Sequence, residues 1–358
     1  MRIAQVAPLH ESCPPKLYGG TERIVSYLTE ELVELGHEVT LFASGDSITS
    51  ARLEAAWPGA LRLTGADPVM PHLIMMKRVA RLADSFDILH FHTDNLHFPC
   101  FFDRGVASLT TLHGRLDLPD LPPLLHEFPE MRLASISQAQ RMPVPDASWI
   151  ATVHHGLPLD LYEEGPGTGN YLAFLGRFSP EKGAERAIEI ARRCGMRIKL
   201  AAKLDRQDEV YFDATIRPLL DLPHVEYVGE IGERDKQEFL GNAAALLFPI
   251  DWPEPFGLVM IEAIATGTPV LAFRAGSVPE IVDHGRSGMV VGSIDEAVGA
   301  MDAVLRLDRK AIRGCFEQRF SVERMAEEYV RAYCEILDLP RRRSVRSQES
   351  DLMSLGKG

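Results

Sequence analysis

The chain has 358 residues, 46% hydrophobic and 25% charged, and 38 lysines and arginines against 51 aspartates and glutamates leave a formal net charge of −13. That length exceeds what one hydrophobic core holds, roughly 250–300 residues, so two domains are expected. The composition excludes a disordered chain, and the acidic balance excludes a general nucleic-acid binder, which carries a basic face.

Residues 2–7 form an apolar run that reads as a buried strand. After a loop rich in proline and glycine, Ile24, Val25, Leu28, Leu32 and Leu35 recur on one face of a helix over 20–35. Gly36 is a fitting stop, and 37–43 reads as the next strand. Residues 72–82, H-L-I-M-M-K-R-V-A-R-L, are apolar and basic. A core-facing helix with a basic outer edge is favoured there over one lying on an anionic membrane, which stays in view as a weak surface contact. Further strands are expected over 88–91, 109–112, 133–136 and 149–153. Alternation of this kind predicts a parallel sheet covered on both faces.

Residues 158–170 hold three glycines, two prolines and three acidic side chains and read as a linker. A second α/β domain of similar size follows over 171–320. Its strands are expected over 171–175, 197–202, 225–228, 244–248 and 269–273, with helices over 183–193 and 257–266 among those between them. A last helix over 322–337 starts behind Ser321 as N-cap. It falls within a segment 321–339 set apart from both domains (1–157 and 171–320), and 340–358 reads as a disordered tail. The cysteines Cys13, Cys100, Cys194, Cys315 and Cys334 are scattered and form no C-x-x-C pair, so neither a disulfide framework nor a zinc site is expected. The N-terminus has no apolar leader, and no apolar run approaches the ~20 residues of a membrane span, so the expected compartment is the cytoplasm.

The chemistry concentrates in residues 252–273, W-P-E-P-F-G-L-V-M-I-E-A-I-A-T-G-T-P-V-L-A-F. A strand, a turn through Pro253, Pro255 and Gly257, and a helix place unpaired backbone N–H groups at a helix start, a ready phosphate site. Glu254 precedes that helix. Glu262 lies inside it, ~7.5 Å farther along the axis at ~1.5 Å per residue. The two carboxylates therefore reach different parts of a ligand, a sugar at one and a ribose at the other. Glu254 as a helix cap and Glu262 as a solvated residue is the blander account, but the helix around Glu262 is almost wholly apolar, and a buried carboxylate needs partners. The second cluster, G-R-F-S-P-E-K-G at 176–183, follows the first strand of the second domain. Arg177 and Lys182 then lie beyond strand carboxyl ends, where ligands of parallel α/β sheets bind, and with the helix start they make a diphosphate site.

These motifs resemble family 4 of the retaining glycosyltransferases, group 1, which have the two-domain GT-B fold. Over most of the chain the marks are E-P-F-G-L-V-M-I-E, G-R-F-S-P-E-K-G, A-T-G-T-P-V-L, S-V-P-E-I-V-D-H-G-R-S-G-M-V-V, and in the first half Y-G-G-T-E-R and L-H-G. The resemblance implies two facing Rossmann-like domains with the last helix crossing back to the first. It implies that Arg177 and Lys182 bind the donor diphosphate, that Glu254 contacts the transferred sugar and that Glu262 holds the ribose. The amides of Phe256, Gly257 and Leu258 then touch phosphates and sugar, and Val228 to Ile231 lie against the base. Gly20 would approach the diphosphate, and His113 lies near the anomeric carbon. Gly19 and Gly20 are the acceptor-side candidates. His10, His90, His92, His97, His154 and His155 are weaker candidates, each better explained as structural. The sequence G-P-G-T-G at 165–169 starts no helix and is rejected as a dinucleotide fingerprint.

The expected activity is transfer of a hexose from a nucleotide sugar, UDP-glucose first, to an unidentified acceptor hydroxyl on a saccharide, lipid-linked or small molecule. The anomeric configuration is retained by front-face attack, with no metal and no cofactor required. Two rivals stand beside it: another sugar-nucleotide enzyme of the same fold, such as an epimerase, and a nucleotide-sugar-binding protein without catalysis.

Overall fold

The computed structural model describes residues 1–339 except 17, 18, 63 and 65; the expected tail over 340–358 lies outside the described residues. The chain divides into two compact units. The first is built from Met1–Ile136, Arg141–His154 and the helix from Val322, and the second from Ser137–Gln140 and His155–Ser321.

The first unit holds seven strands: β1 (Arg2–Val6), β2 (Glu38–Ser44), β3 (Arg52–Trp57), β4 (Ile88–Phe91), β5 (Ser108–Thr111), β6 (Leu133–Ser135) and β7 (Trp149–Thr152). They pair in parallel in the order β3-β2-β1-β4-β5-β6-β7. The second holds β8 (Tyr171–Arg177), β9 (Arg197–Lys203), β10 (Val225–Gly229), β11 (Ala245–Phe248), β12 (Val270–Phe273) and β13 (Gly288–Val291). These are also parallel, in the order β10-β9-β8-β11-β12-β13. Both orders reverse once, between β1 and β4 and between β8 and β11, and in open sheets the crevice at such a reversal is where ligands bind.

Apolar side chains drive both units. In the first, helix α1 (Gly20–Glu34) turns Ile24, Val25, Leu28 and Leu32 onto the sheet. Helix α2 (Val69–Leu82) buries Pro71, His72, Met75, Met76 and Val79. Lys77 and Arg81 are exposed on its outer edge, and Val69, Met70, Leu73 and Ile74 are exposed ahead of them. In the second unit α3 (Ala184–Arg193), α4 (Glu233–Gly241), α5 (Leu258–Ala265), α6 (Ile294–Val304) and α7 (Arg309–Arg319) alternate with the strands or follow them. The last helix, α8 (Val322–Asp338), returns to the first unit and buries Met325, Tyr329, Tyr333 and Ile336 there.

The linker expectation is corrected. Residues 158–170 belong to the second unit, where the amides of Gly165, Gly167 and Gly169 donate to the carbonyls of Thr266, Gly241 and Asn242. A Cβ on Gly165 would fall 2.2 Å from Cα of Gly241. Glycine serves close backbone packing there and not flexibility. The chain crosses between units at Ile136/Ser137, Gln140/Arg141, His154/His155 and Ser321/Val322.

Candidate active site

Helix α5 begins at the carboxyl end of β11. Gly257 caps it at φ +81 and ψ +69, left-handed backbone that favours glycine, and a Cβ there would meet Cε of Met260 at 2.6 Å. No side-chain hydrogen bond caps this helix, so its first turn offers N–H groups and the positive end of its dipole to an anion. The loop ahead of it is fixed from behind. Ser277 donates its amide to the Glu254 carbonyl and its hydroxyl to that of Phe256, each at 2.9 Å. The Ser137 hydroxyl donates to the Pro255 carbonyl at 2.6 Å. Phe256 is buried, edge-on to His155 at 4.7 Å.

Both carboxylates of the motif are buried, Glu254 at 8% and Glu262 at 3% exposure, and each is held by a lysine. Lys182 Nζ lies 2.5 Å from Glu254 Oε2, which also accepts from Trp252 Nε1 at 3.0 Å. The ammonium sits 4.6 Å from the centre of the Trp252 ring, a cation–π contact. Glu262 accepts from Lys236 of α4 at 2.6 Å, and that ammonium lies 3.6 Å from Glu233. Glu233 accepts a hydrogen bond from the Tyr162 hydroxyl. Burial first, and the Glu262 charge second, push the Glu233 carboxyl up to about 7. Glu262 is therefore neither solvated nor waiting on a ligand for its partner.

Arg177, at the end of β8, sits among three carboxylates. Its guanidinium contacts Glu181 at 2.6 Å, Asp205 at 3.6 Å and Asp208 at 3.5 Å. The Asp251 amide donates to the Glu181 carbonyl at 2.8 Å, tying the Arg177–Lys182 loop to the one before α5. Beyond the edge strand β10, Ile231 is half-buried, while Tyr227 and Val228 within it are exposed, an apolar surface of the kind a base stacks on.

In the first unit, Gly19 and Gly20 stand at the start of α1; Tyr18 of the same motif lies outside the described residues. His113 follows β5 and is half-buried, with Nε2 2.9 Å from His92 Nδ1. Burial holds its imidazole down to about 3. Its amide hydrogen-bonds Asp94, whose backbone is left-handed at φ +49. The other histidines have local partners. His97 stacks on Phe91 at 3.7 Å and bonds Thr110, His10 lies against His72, and the His154 carbonyl accepts from Arg324. His90 and His92 belong to a buried chain of polar side chains that includes Gln5 and Tyr333.

The structure thus gathers Lys182, Glu254, Trp252 and the start of α5, and separately Glu262 with Lys236 and Glu233. Sequence reasoning missed Lys236, Glu233, Trp252, Gln5 and Tyr333. For Lys236 the available signal was the unmatched charge of Glu262 inside an apolar helix.

Residues 163–313 match the family model for the glycosyl transferases group 1, and residues 18–157 that for Glycosyltransferase Family 4. The chain is 23% identical to the N-acetyl-alpha-D-glucosaminyl L-malate synthase of Bacillus anthracis, over 91% of this chain and 96% of that protein. It is 26% identical to the phosphatidyl-myo-inositol mannosyltransferase of Mycolicibacterium smegmatis, over 85% and 84%. Among solved structures it resembles AviGT4, a glycosyltransferase involved in avilamycin A biosynthesis, with a TM-score of 0.73, 25% identity and coverage of 94% and 98%.

Proposed function

Because the chain belongs to the glycosyl transferases of group 1 and family 4, we propose that it transfers a hexose from a nucleotide sugar, UDP-glucose first, to an acceptor hydroxyl with retained anomeric configuration. The observation that carries this reading is the pair of buried carboxylates, Glu254 and Glu262, set on either side of an uncapped helix start whose N-cap is a left-handed glycine. The diphosphate is assigned to the amides of Phe256, Gly257 and Leu258 with Lys182 and Arg177. The transferred sugar is assigned to Glu254, the ribose to Glu262, and the base to Val228–Ile231. Lys182 already neutralises Glu254, so a bound diphosphate and the sugar hydroxyls would share that ammonium. Arg177 reaches the phosphates by exchanging carboxylate partners. On the first unit, Gly19 and Gly20 are assigned to binding and His113 to the reaction.

A double displacement needs a carboxylate nucleophile, and Glu254 is committed to Lys182 and Trp252. Front-face attack follows, in which the departing diphosphate takes the acceptor proton. Cations and helix dipoles fixed at the leaving group supply the stabilisation, so the reaction is expected to need no metal. The two relatives named above carry different sugars and acceptors in their names, which leaves UDP-glucose as the first of several donors to try. The exposed apolar and basic face of α2 supports a weak contact with an anionic membrane surface.

The test is a calorimetric and thermal-shift screen of UDP-glucose, other UDP-hexoses and GDP-mannose against the wild-type chain and Glu262→Gln. Saturable binding of one nucleotide sugar, weakened in the variant, is expected. No binding of any nucleotide or nucleotide sugar would contradict the reading.

A further inference from the structure

A chain of hydrogen bonds runs from the last helix to His113 through buried side chains. Tyr329 and Tyr333 stand one turn apart on α8. The Tyr333 hydroxyl oxygen meets Gln5 Nε2 at 3.1 Å and His90 Nδ1 at 2.6 Å. His90 Nε2 meets Thr111 Oγ1 at 2.7 Å, and that hydroxyl meets the Tyr329 oxygen at 3.1 Å. On the other branch Gln5 Oε1 meets His92 Nε2 at 2.8 Å, and His92 Nδ1 meets His113 Nε2 at 2.9 Å. Gln5, His90, Thr111, Tyr329 and Tyr333 are fully buried and His92 nearly so.

The chemistry of each atom fixes the direction of the proton. The Gln5 carbonyl oxygen only accepts, so His92 carries its hydrogen on Nε2, and its Nδ1 is left as an acceptor. His113 must then donate from Nε2. Tyr333 accepts from the Gln5 amide and so gives its single proton to His90 Nδ1. His90 donates from Nε2 to Thr111, and Thr111 donates to Tyr329. Every member donates in the same sense, away from His113 and toward Tyr329. Reversal requires all of them to turn together, including the Gln5 amide. Burial keeps the imidazoles of His90 and His113 neutral near pH 7 by depressing both well below the usual histidine range.

We propose that Gln5 and Tyr333 are positioning residues for His113: through His92 they fix its ring in one orientation as the neutral Nε2–H tautomer, so that α8 sets the state of the residue that follows β5. A histidine's tautomer is set by the bond its other neighbours make, and the members of a buried hydrogen-bonded network polarise and constrain one another. The importance of this for catalysis rests on the reading of His113 as a site residue. The tautomer itself does not.

The experiment is long-range ¹H–¹⁵N NMR of the ¹⁵N-labelled full chain at pH 7, with His92→Asn and His113→Asn for assignment. In the wild type, His90, His92 and His113 are all expected as Nε2–H. In Tyr333→Phe the Gln5 amide loses its acceptor and is free to turn, and an Nδ1–H population is expected at His92 and His113. Tyr329→Phe removes only the terminal acceptor and should leave His113 as Nε2–H, a contrast that a general loss of packing would not produce. An Nδ1–H signal for His113 in the wild type would overturn the proposal even if no variant folds. Unchanged tautomers of His92 and His113 in folded Tyr333→Phe would overturn it as well. Adding UDP to the same sample separates the two readings, since absence of UDP binding would count against the donor site and leave the tautomers as they are.

Discussion

Lys182 Nζ lies 2.5 Å from Glu254 Oε2, joining the loop after β8 to the loop before α5 across the point where the second sheet reverses its order. Neither partner is solvated enough to stand alone, with side-chain exposures of 20% and 9%. Removing the lysine leaves a buried carboxylate uncompensated. Lys182→Met should therefore lower stability by about 1–3 kcal/mol, and adding Glu254→Gln should restore part of it. Urea unfolding of the two singles and the double gives the coupling directly. Additive losses would mean that the pair carries no interaction.

The same lysine and Arg177 are assigned to the donor diphosphate. A charge-assisted hydrogen bond contributes about 1.5–3 kcal/mol, so Lys182→Ala and Arg177→Ala should each weaken UDP binding about tenfold to a hundredfold. The Arg177 loss should fall at the low end, because Glu181, Asp205 and Asp208 already share its charge. Calorimetry with UDP reads both. Affinities equal to wild type would remove the two residues from the site.

The two carboxylates should separate. Glu254→Gln should harm transfer while leaving UDP affinity near wild type, because its assigned partner is the sugar. Glu262→Gln should weaken UDP itself. Equal effects on UDP would end this division of labour, once circular dichroism shows both variants folded.

Glu233 gives a pH dependence of stability. Its carboxyl is raised from 4.5 to about 7 in the folded protein, so between those values the folded state holds a proton that the unfolded state has lost. Stability from this group is full below about pH 4.5 and is lost as pH rises through about 7. Unfolding free energies measured by urea at pH 5 and pH 7.5 should fall across the window in the wild type, and the fall should shrink in Glu233→Gln. An identical pH slope in the variant would refute the assignment.

Stereochemistry and metal dependence test the proposed chemistry. Proton NMR with an α-linked donor, in the presence of EDTA, should show an α-linked product first. A β-linked initial product, or activity lost to EDTA and restored by magnesium, would contradict front-face attack without a metal.

Much of this was legible in the sequence because buried parallel strands are short continuous apolar runs: residues 88–91 read as a strand and are β4. The motif around Gly257 was legible because a strand, a turn and a helix in that order need few alternatives. The edge strand β3, R-L-E-A-A-W, was missed because it is half exposed and carries no clear alternation. Lys236 was hidden within E-R-D-K-Q-E, which reads as an ordinary solvated helix face. The three carboxylates around Arg177 come partly from a later loop, and no spacing announces that they return to it. Glycines at 165, 167 and 169 suggested flexibility, yet their use is close packing against Gly241 and Asn242, a distinction that depends on what the fold brings beside them.

The most direct measurement incubates the wild-type chain with UDP-glucose, or whichever nucleotide sugar the screen selects, and a pool of candidate acceptors, and follows both by mass spectrometry. The account predicts an acceptor heavier by one hexose residue, formed in step with release of the nucleoside diphosphate, and little or none with Glu254→Gln. A sugar nucleotide altered with no acceptor gaining mass, or equal product from Glu254→Gln, would contradict it.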